Sequence, residues 1–242
     1  MLPSIDQLQR RLADLEQLTY RSAHDLKGPL VTIAGFLKGL STSAKAGRWD
    51  EFDTDVTHIT RMVGHMQQQL EDLLQLARLD QPLPPPRPLS IPKLVRDAAV
   101  LLEAILIPRR LIVNIDEDAP LIAGQETQLV AVFENLFRNA SQSTSSPEFA
   151  INVTVDDSQE NDHLIVRVRD FGIGIPLADR ERVFEPFVRL EGRELGTGLG
   201  LCIVKHTVDR HGGRVWIESP PSAPGTVVCL ALPKASPQER VP

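Results

Sequence analysis

GTGLGLCIVKHTVDRHGG, residues 196–213, places glycines at alternate positions directly ahead of an apolar-periodic run, Leu201, Val204 and Val208. The spacing predicts a helix, and the glycines let a ligand approach its first turn closely. Free amide donors and the helix dipole make such a terminus an anion site suited to phosphate. The pattern is not the dinucleotide GxGxxG, because Leu201 holds the third glycine's position. Nor is it a P-loop, because no Gly-Lys-Ser/Thr follows.

Upstream, VRDFGIGIP (168–176) ends an alternating strand with Asp170 and sets Gly172 and Gly174 around an isoleucine. A carboxylate at a strand end beside such a turn can accept a hydrogen bond from an exocyclic amine, and the glycines let backbone lie against a flat ligand. An ordinary glycine turn reads equally well from this stretch alone. The DFG triplet does not indicate a eukaryotic-type protein kinase, since no HRD loop, VAIK-like strand or upstream glycine loop accompanies it. Between the glycine motifs, PLADRERVFEPFVRLEGREL (176–195) carries Phe184 and Phe187 and reads as a mobile lid or a surface loop with two buried aromatics. Earlier still, QLVAVFENLFRNASQS (128–143) has one apolar helical face, Leu129, Val132, Phe133, Leu136, Phe137 and Ala140. It leaves Asn135 and Asn139 four apart on the adjoining face, near Glu134. Amide oxygens suit a magnesium ion that also takes substrate phosphates, and a merely solvated face fits the same spacing.

Around these motifs the pattern is α/β. It predicts helices at 91–107 and 125–143 and a strand at 111–115. A hairpin of alternating Ile151, Val153, Val155 and Leu164, Val166, Val168 turns through DDSQEND (156–162), and closing strands lie at 214–218 and 226–232. Before them, QPLPPPRPLS (81–90) reads as a semi-rigid polyproline linker. The N-terminal part is helical. A seam at Ile5, Leu8, Leu12 and Leu15 leads in, STSAKAGRWD (41–50) breaks it, and a second seam follows at Val56, Ile59, Val63, Met66, Leu70, Leu73 and Ala77. One antiparallel hairpin buries too little to be stable alone, so a homodimeric four-helix bundle is expected, the alternative being packing on the C-terminal domain. The expected architecture is α+β multidomain: hairpin 1–80, linker 81–89, α/β sandwich 90–233 and disordered tail 234–242.

Composition narrows the function. A net charge of −6 with dispersed basic residues argues against a nucleic-acid surface. Two distant cysteines, Cys202 and Cys229, form neither a disulfide framework nor a metal cluster. No apolar run approaches the length of a membrane span, so membrane contact from this segment is not expected. The expected location is cytoplasmic, alone or as part of a larger, membrane-anchored sensor.

Within the first hairpin, SAHDLKGPLVTI (22–33) sets Gly28 and Pro29 inside a helical pattern, at roughly 1 and 3 kcal/mol of lost helix stability. Pro29 cannot donate to the Asp25 carbonyl, so a bend is expected there. With this stretch the chain resembles the catalytic core of sensor histidine kinases. HDLKGPL is similar to the phosphoacceptor box, FENLFRNA to the N box, DFGIG and GTGLGL to the two glycine boxes, and FEPF to the F box. The resemblance runs from the first helix to Leu232. It implies an ATP-dependent protein-histidine kinase with a GHKL-type sandwich, phosphorylating itself and then an aspartate on a response regulator's receiver domain.

By that resemblance His24 is the phosphoacceptor and Asp25 orients the ring and takes its proton. An imidazole of pKa about 6.5 is largely uncharged and nucleophilic at neutral pH. Asn139, beside Asn135, holds Mg²⁺, while Asp170 binds the adenine amine and Gly172 and Gly174 line the base. Gly196, Gly198, Leu199 and Gly200 cradle the phosphates of ATP, Thr226 lies near the adenine, and Arg189 reaches the γ-phosphate. Lys27, Val31 and Lys38 are expected at the regulator surface. Two positions depart from the family. Gln142 replaces a frequent lysine, with Arg189 or Arg193 left to supply the charge. Gly28 replaces a Thr or Asn that positions water, so phosphatase activity toward the partner is expected to be weak. A nucleotide-binding scaffold without transfer, and a serine kinase or plain ATPase, are the other readings. His24, Asn139 and Asp170 oppose the first, and a histidine on a dimerisation hairpin opposes the second.

Overall fold

Apolar periodicity in the N-terminal part produces two helices joined by a three-residue turn, α1 over 26–45 and α2 over Trp49–Arg78. The computed structural model describes residues 26–78, 81–103, 109–160, 162–190, 196–221 and 224–235. His24, Asp25, Arg193 and the entry seam at Ile5 to Leu15 lie outside them. The helices are antiparallel: Phe36 stacks edge-on against His58 at 5.3 Å, and Ser43 Oγ donates to Glu51. The predicted break at 41–50 is narrower, because residues 41–45 stay helical and Gly47, at φ +69°, ends α1. Its N–H donates to the Ala44 carbonyl and that of Arg48 to Ser43, the paired bonds that satisfy a helix C-terminus before a left-handed residue. Helix continues through Pro29 over the described residues. The predicted α2 seam splits into two stripes. Ile59, Met66 and Leu73 are half-buried, whereas Val56, Val63 and Leu70, seven apart, are 39%, 41% and 48% exposed.

Compact units divide after Gln75. The second carries β1 (Arg87–Leu89), α3 (Ile91–Glu103), β2 (Arg110–Ile115), β3 (Ile122–Gly124) and α4 (Glu126–Gln142). Then come β4 (Glu148–Glu160), β5 (His163–Asp170), α5 (Gly200–Arg210), β6 (Arg214–Glu218) and β7 (Val227–Pro233). The main sheet runs β2-β4-β5-β7-β6, antiparallel except for the β2–β4 pair. Alternation gives it two different faces. Ile151, Val153, Leu164, Val166, Val168, Val228 and Leu230 form a core with Leu129, Phe133, Leu136 and Phe137 of α4, Leu94 and Leu102 of α3, and Val204 and Val208 of α5. On the opposite face Arg167 bridges Asp156 and Glu218, each at 3.3 Å.

Part of the stretch read as linker belongs to this unit. Arg87–Leu89 pairs antiparallel with Ile122–Gly124. Prolines lack donors but keep their carbonyls, and Gln125 Nε2 donates to those of Pro84 and Pro85 at 2.9 and 2.5 Å. Arg210 donates to the carbonyl of Gln81. At the other end, Lys234 and Ala235, assigned to the tail, are held by N–H bonds to the carbonyls of Asp162 and Leu121. β4 continues to Glu160 through a register shift after Asp156, where a polar turn was expected. Among the described residues no helix is long and apolar enough to cross a membrane.

Candidate functional site

Strand β5 delivers Asp170 to the edge of the helical layer. Its backbone N–H donates to the Thr226 carbonyl at 2.9 Å, and its Oδ1 accepts from the N–H groups of Gly172 (2.9 Å) and Thr226 (3.2 Å). The carboxylate is thus oriented by both chain segments that bound it, and Thr226 is buried beside it. Gly172 lies so close to Ser143 that a Cβ would stand 1.8 Å from its hydroxyl oxygen and 2.8 Å from its carbonyl oxygen. Ser143 in turn accepts from the Ile173 N–H at 3.1 Å and donates its hydroxyl to Ala140, seating the DFGIG turn on the end of α4. Gly174 sits against Gly225, which itself abuts Asp170.

The second glycine run crosses the face of α4. A Cβ on Gly196 would lie 2.9 Å from Gln142 Oε1, and one on Gly200 3.1 Å from Asn135 Oδ1 and 3.5 Å from Asn139 Oδ1. Gly200 opens α5, Leu199 precedes it buried, and no side chain caps this terminus. Leu199 N–H donates instead to Thr197 Oγ1 at 3.2 Å. The FEPF segment packs on the same loop, because Phe187 N–H donates to the Gly198 carbonyl at 2.9 Å. Gly198 (φ +72°) brings its Cα within a would-be Cβ contact of 2.8 Å from Phe187 Cα, and Phe187 itself takes φ 62°. Arg189 lies exposed two residues further on.

The two asparagines, alike in the sequence, differ here. Asn135 is buried and spends its Nδ2 on the Ala131 carbonyl at 2.8 Å. Asn139 Nδ2 is buried with no hydrogen-bond partner among the described residues. An unsatisfied buried amide costs about 1–3 kcal/mol until a ligand meets it, which fits a group arriving between α4 and the α5 terminus. No cluster of three or more His, Cys, Asp or Glu able to hold a metal occurs among the described residues. The orphaned Nδ2 is a donor and suits a phosphate oxygen, which leaves Asn139 Oδ1, beneath Gly200, as the atom of that amide able to face a cation. Both thiols are set aside by burial, Cys202 pushed up to about 11 and Cys229 to about 12, so neither is a thiolate nucleophile at neutral pH.

Three positioning residues escaped the motifs. Ser143 backs Gly172. Arg109 donates to the carbonyls of Ser141 (2.5 Å), Thr144 (3.0 Å) and Ser146 (2.8 Å), fixing the turn after α4. His211 accepts from the Gln125 N–H at 3.1 Å and joins the end of α5 to the start of α4. All three act across more than 25 residues of chain, beyond any local pattern.

Two family models match the chain. His Kinase A (phospho-acceptor) domain covers residues 5–82, and Histidine kinase-, DNA gyrase B-, and HSP90-like ATPase covers 124–236. The chain is 31% identical over 232 residues to the methanogenesis regulatory histidine kinase FilI of Methanothrix harundinacea, covering 95% of this chain and 26% of that one. It is 30% identical to the sensor histidine kinase WalK of Bacillus subtilis, over 90% of this chain and 36% of that one. It thus spans about a quarter to a third of the length of these curated relatives. Among solved structures, the catalytic domain of histidine kinase ThkA superposes with TM-score 0.52 at 28% identity, over 64% of this chain and 99% of that one. ThkA in complex with response regulator protein TrrA matches 96% of this chain and 65% of that one, with TM-score 0.71 at 23% identity, a likeness of fold. The chain belongs to the histidine kinases, and joins a phospho-acceptor domain to an ATPase-type domain of the gyrase B and HSP90 kind.

Proposed function

We propose that the chain binds ATP with Mg²⁺ at this site, phosphorylates His24 and passes the phosphoryl group to an aspartate of a response regulator's receiver domain. The observation that carries the reading is the unpartnered amide of Asn139 beneath Gly200, between an oriented Asp170 and the uncapped terminus of α5. Asp170 has its carboxylate fixed by two backbone donors and accepts from the adenine amine, with Gly172, Gly174 and Thr226 around the base. Gly196, Gly198, Leu199 and Gly200 present backbone and helix dipole to the phosphates, and Arg189 comes from the lid. Asn139 would hold magnesium through its amide oxygen, with Asn135 beside it and its orphaned Nδ2 left to donate to a phosphate oxygen, and the bound ion would supply charge neutralisation on the phosphates. A ring nitrogen of His24 attacks the γ-phosphorus, the bond to the β–γ bridging oxygen breaks, ADP leaves and Asp25 takes the ring proton. The seven-residue stripe Val56, Val63, Leu70, exposed in one copy, supports a homodimer that covers it. The boundaries 1–80, 81–89, 90–233 and 234–242 are proposed as functional divisions, with the end of the linker anchored on the ATP-binding part. A cytoplasmic setting follows from the nucleotide.

Mixing the labelled, nucleotide-free chain with a panel of receiver domains tests the relay. Label should leave the kinase and appear on the aspartate of one receiver within minutes, then persist, because Gly28 offers no side chain to position water. A chain that keeps its label against every receiver contradicts the transfer, and rapid stimulated release of phosphate contradicts the weak phosphatase.

A further inference from the structure

We propose that Arg138 is the fixed cation for the terminal phosphate of the bound nucleotide, an inference that rests on the ATP reading above. At roughly 100° per helical residue, α4 can be read around its axis from Asn135. Asn139 then stands at about +40°, Ser143 at about +80°, Gln142 at about −20° and Arg138 at about −60°. Ser143 lies under Gly172, on the side where Asp170 takes the base, while Gly200 and Gly196 lie over Asn135, Asn139 and Gln142. A triphosphate leaving the base therefore crosses Asn139 first and ends on the Arg138 side. Asn135, Asn139, Arg138 and Gln142 form one i, i+3, i+4, i+7 diamond. Three of its corners lie against the glycine loop, and the fourth is the only one that carries charge.

Arg138 does not behave as a plain surface ion pair. Its side chain is 16% exposed and that of Glu134 25%, with Nη2 donating to Glu134 Oε1 at 2.5 Å. Nε is buried with no hydrogen-bond partner among the described residues. A guanidinium has five donors in a planar fork that matches phosphate oxygens in pairs, so a terminal phosphate would satisfy what Glu134 leaves open. Gln142, one turn on, is neutral and rests on Gly196, so it brings no charge to the same place.

Titration of the full chain with ADP and with a non-hydrolysable ATP analogue, both with Mg²⁺, separates the terminal phosphate from the rest of the nucleotide. Arg138→Ala should weaken the analogue by roughly tenfold or more, the scale of a lost charged hydrogen bond. It should change ADP by less than about twofold, and that retained binding also reports a folded domain. Arg138→Lys should recover part of the loss. Glu134→Gln should keep the preference for the analogue, since it removes the neighbour and leaves the cation. Equal weakening of both nucleotides, no weakening of either, or loss of preference in Glu134→Gln would overturn the assignment. The nucleotide reading is judged apart, by ADP binding in the parent chain and its loss in Asp170→Asn.

Discussion

Gly172 leaves its neighbours no room for a methyl group. The Ser143 hydroxyl could rotate away from a Cβ placed 1.8 Å from it, but the Ser143 carbonyl at 2.8 Å is fixed by the Ile173 N–H. Gly172→Ala must therefore push the DFGIG turn off the end of α4 and misalign Asp170, whose Oδ1 holds the Gly172 N–H. The expected outcome is a loss of about 1–3 kcal/mol of stability with at least a tenfold loss of ADP affinity, read by thermal melting and nucleotide titration. Unchanged affinity would detach this turn from the site. Local spacing sets Asp170, Gly172, Gly174 and the asparagines apart in the sequence, and the fold brings them together at α4. Which asparagine keeps an unpartnered Nδ2 is not written there, since Asn135 and Asn139 share a face and only the fold buries Asn135 and bonds it back to Ala131. Ser143 and Arg109 carry no motif at all, because their partners lie far along the chain.

Where α5 ends and α4 begins, His211 ties two helices together. Nδ1 donates to the Thr207 carbonyl at 2.7 Å while Nε2 accepts from the Gln125 N–H at 3.1 Å, an arrangement open only to the neutral ring. Burial, with the neighbouring Arg210 charge, outweighs the Thr207 bond and lowers its pKa below the ordinary value of 6.5. A depressed histidine contributes stability that is full above the unfolded value of about 6.5 and is lost as pH falls through the folded value. His211→Gln should cost about 1 kcal/mol at pH 7.5, and its gap from the parent should narrow on acidification. Melting curves across that range check it, and a gap independent of pH would refute it. At this scale the long periodic elements, α4, α5 and the strands β4 to β7, were readable from apolar spacing. The strands β1 and β3 were not, because three residues are too few to show alternation and one of them follows a run of prolines. The hairpin turn shrank from ten residues to three because Gly47 alone supplies the left-handed stop.

As a whole the chain joins a helical unit with an exposed apolar heptad stripe to an α/β unit whose glycine loops converge on one face of α4. The order of motifs on either side of the prolines makes the two-part architecture readable in the sequence, while the anchoring of 81–89 on the second unit depends on the distant side chains of Gln125 and Arg210. His24, outside the described residues, carries the functional claim. Incubation of the chain with γ-labelled ATP and Mg²⁺, followed by acid and alkali treatment, measures that claim directly. The account predicts label on the chain that is acid-labile, alkali-stable and absent from His24→Gln. Label that survives in His24→Gln, or that resists acid, would contradict it.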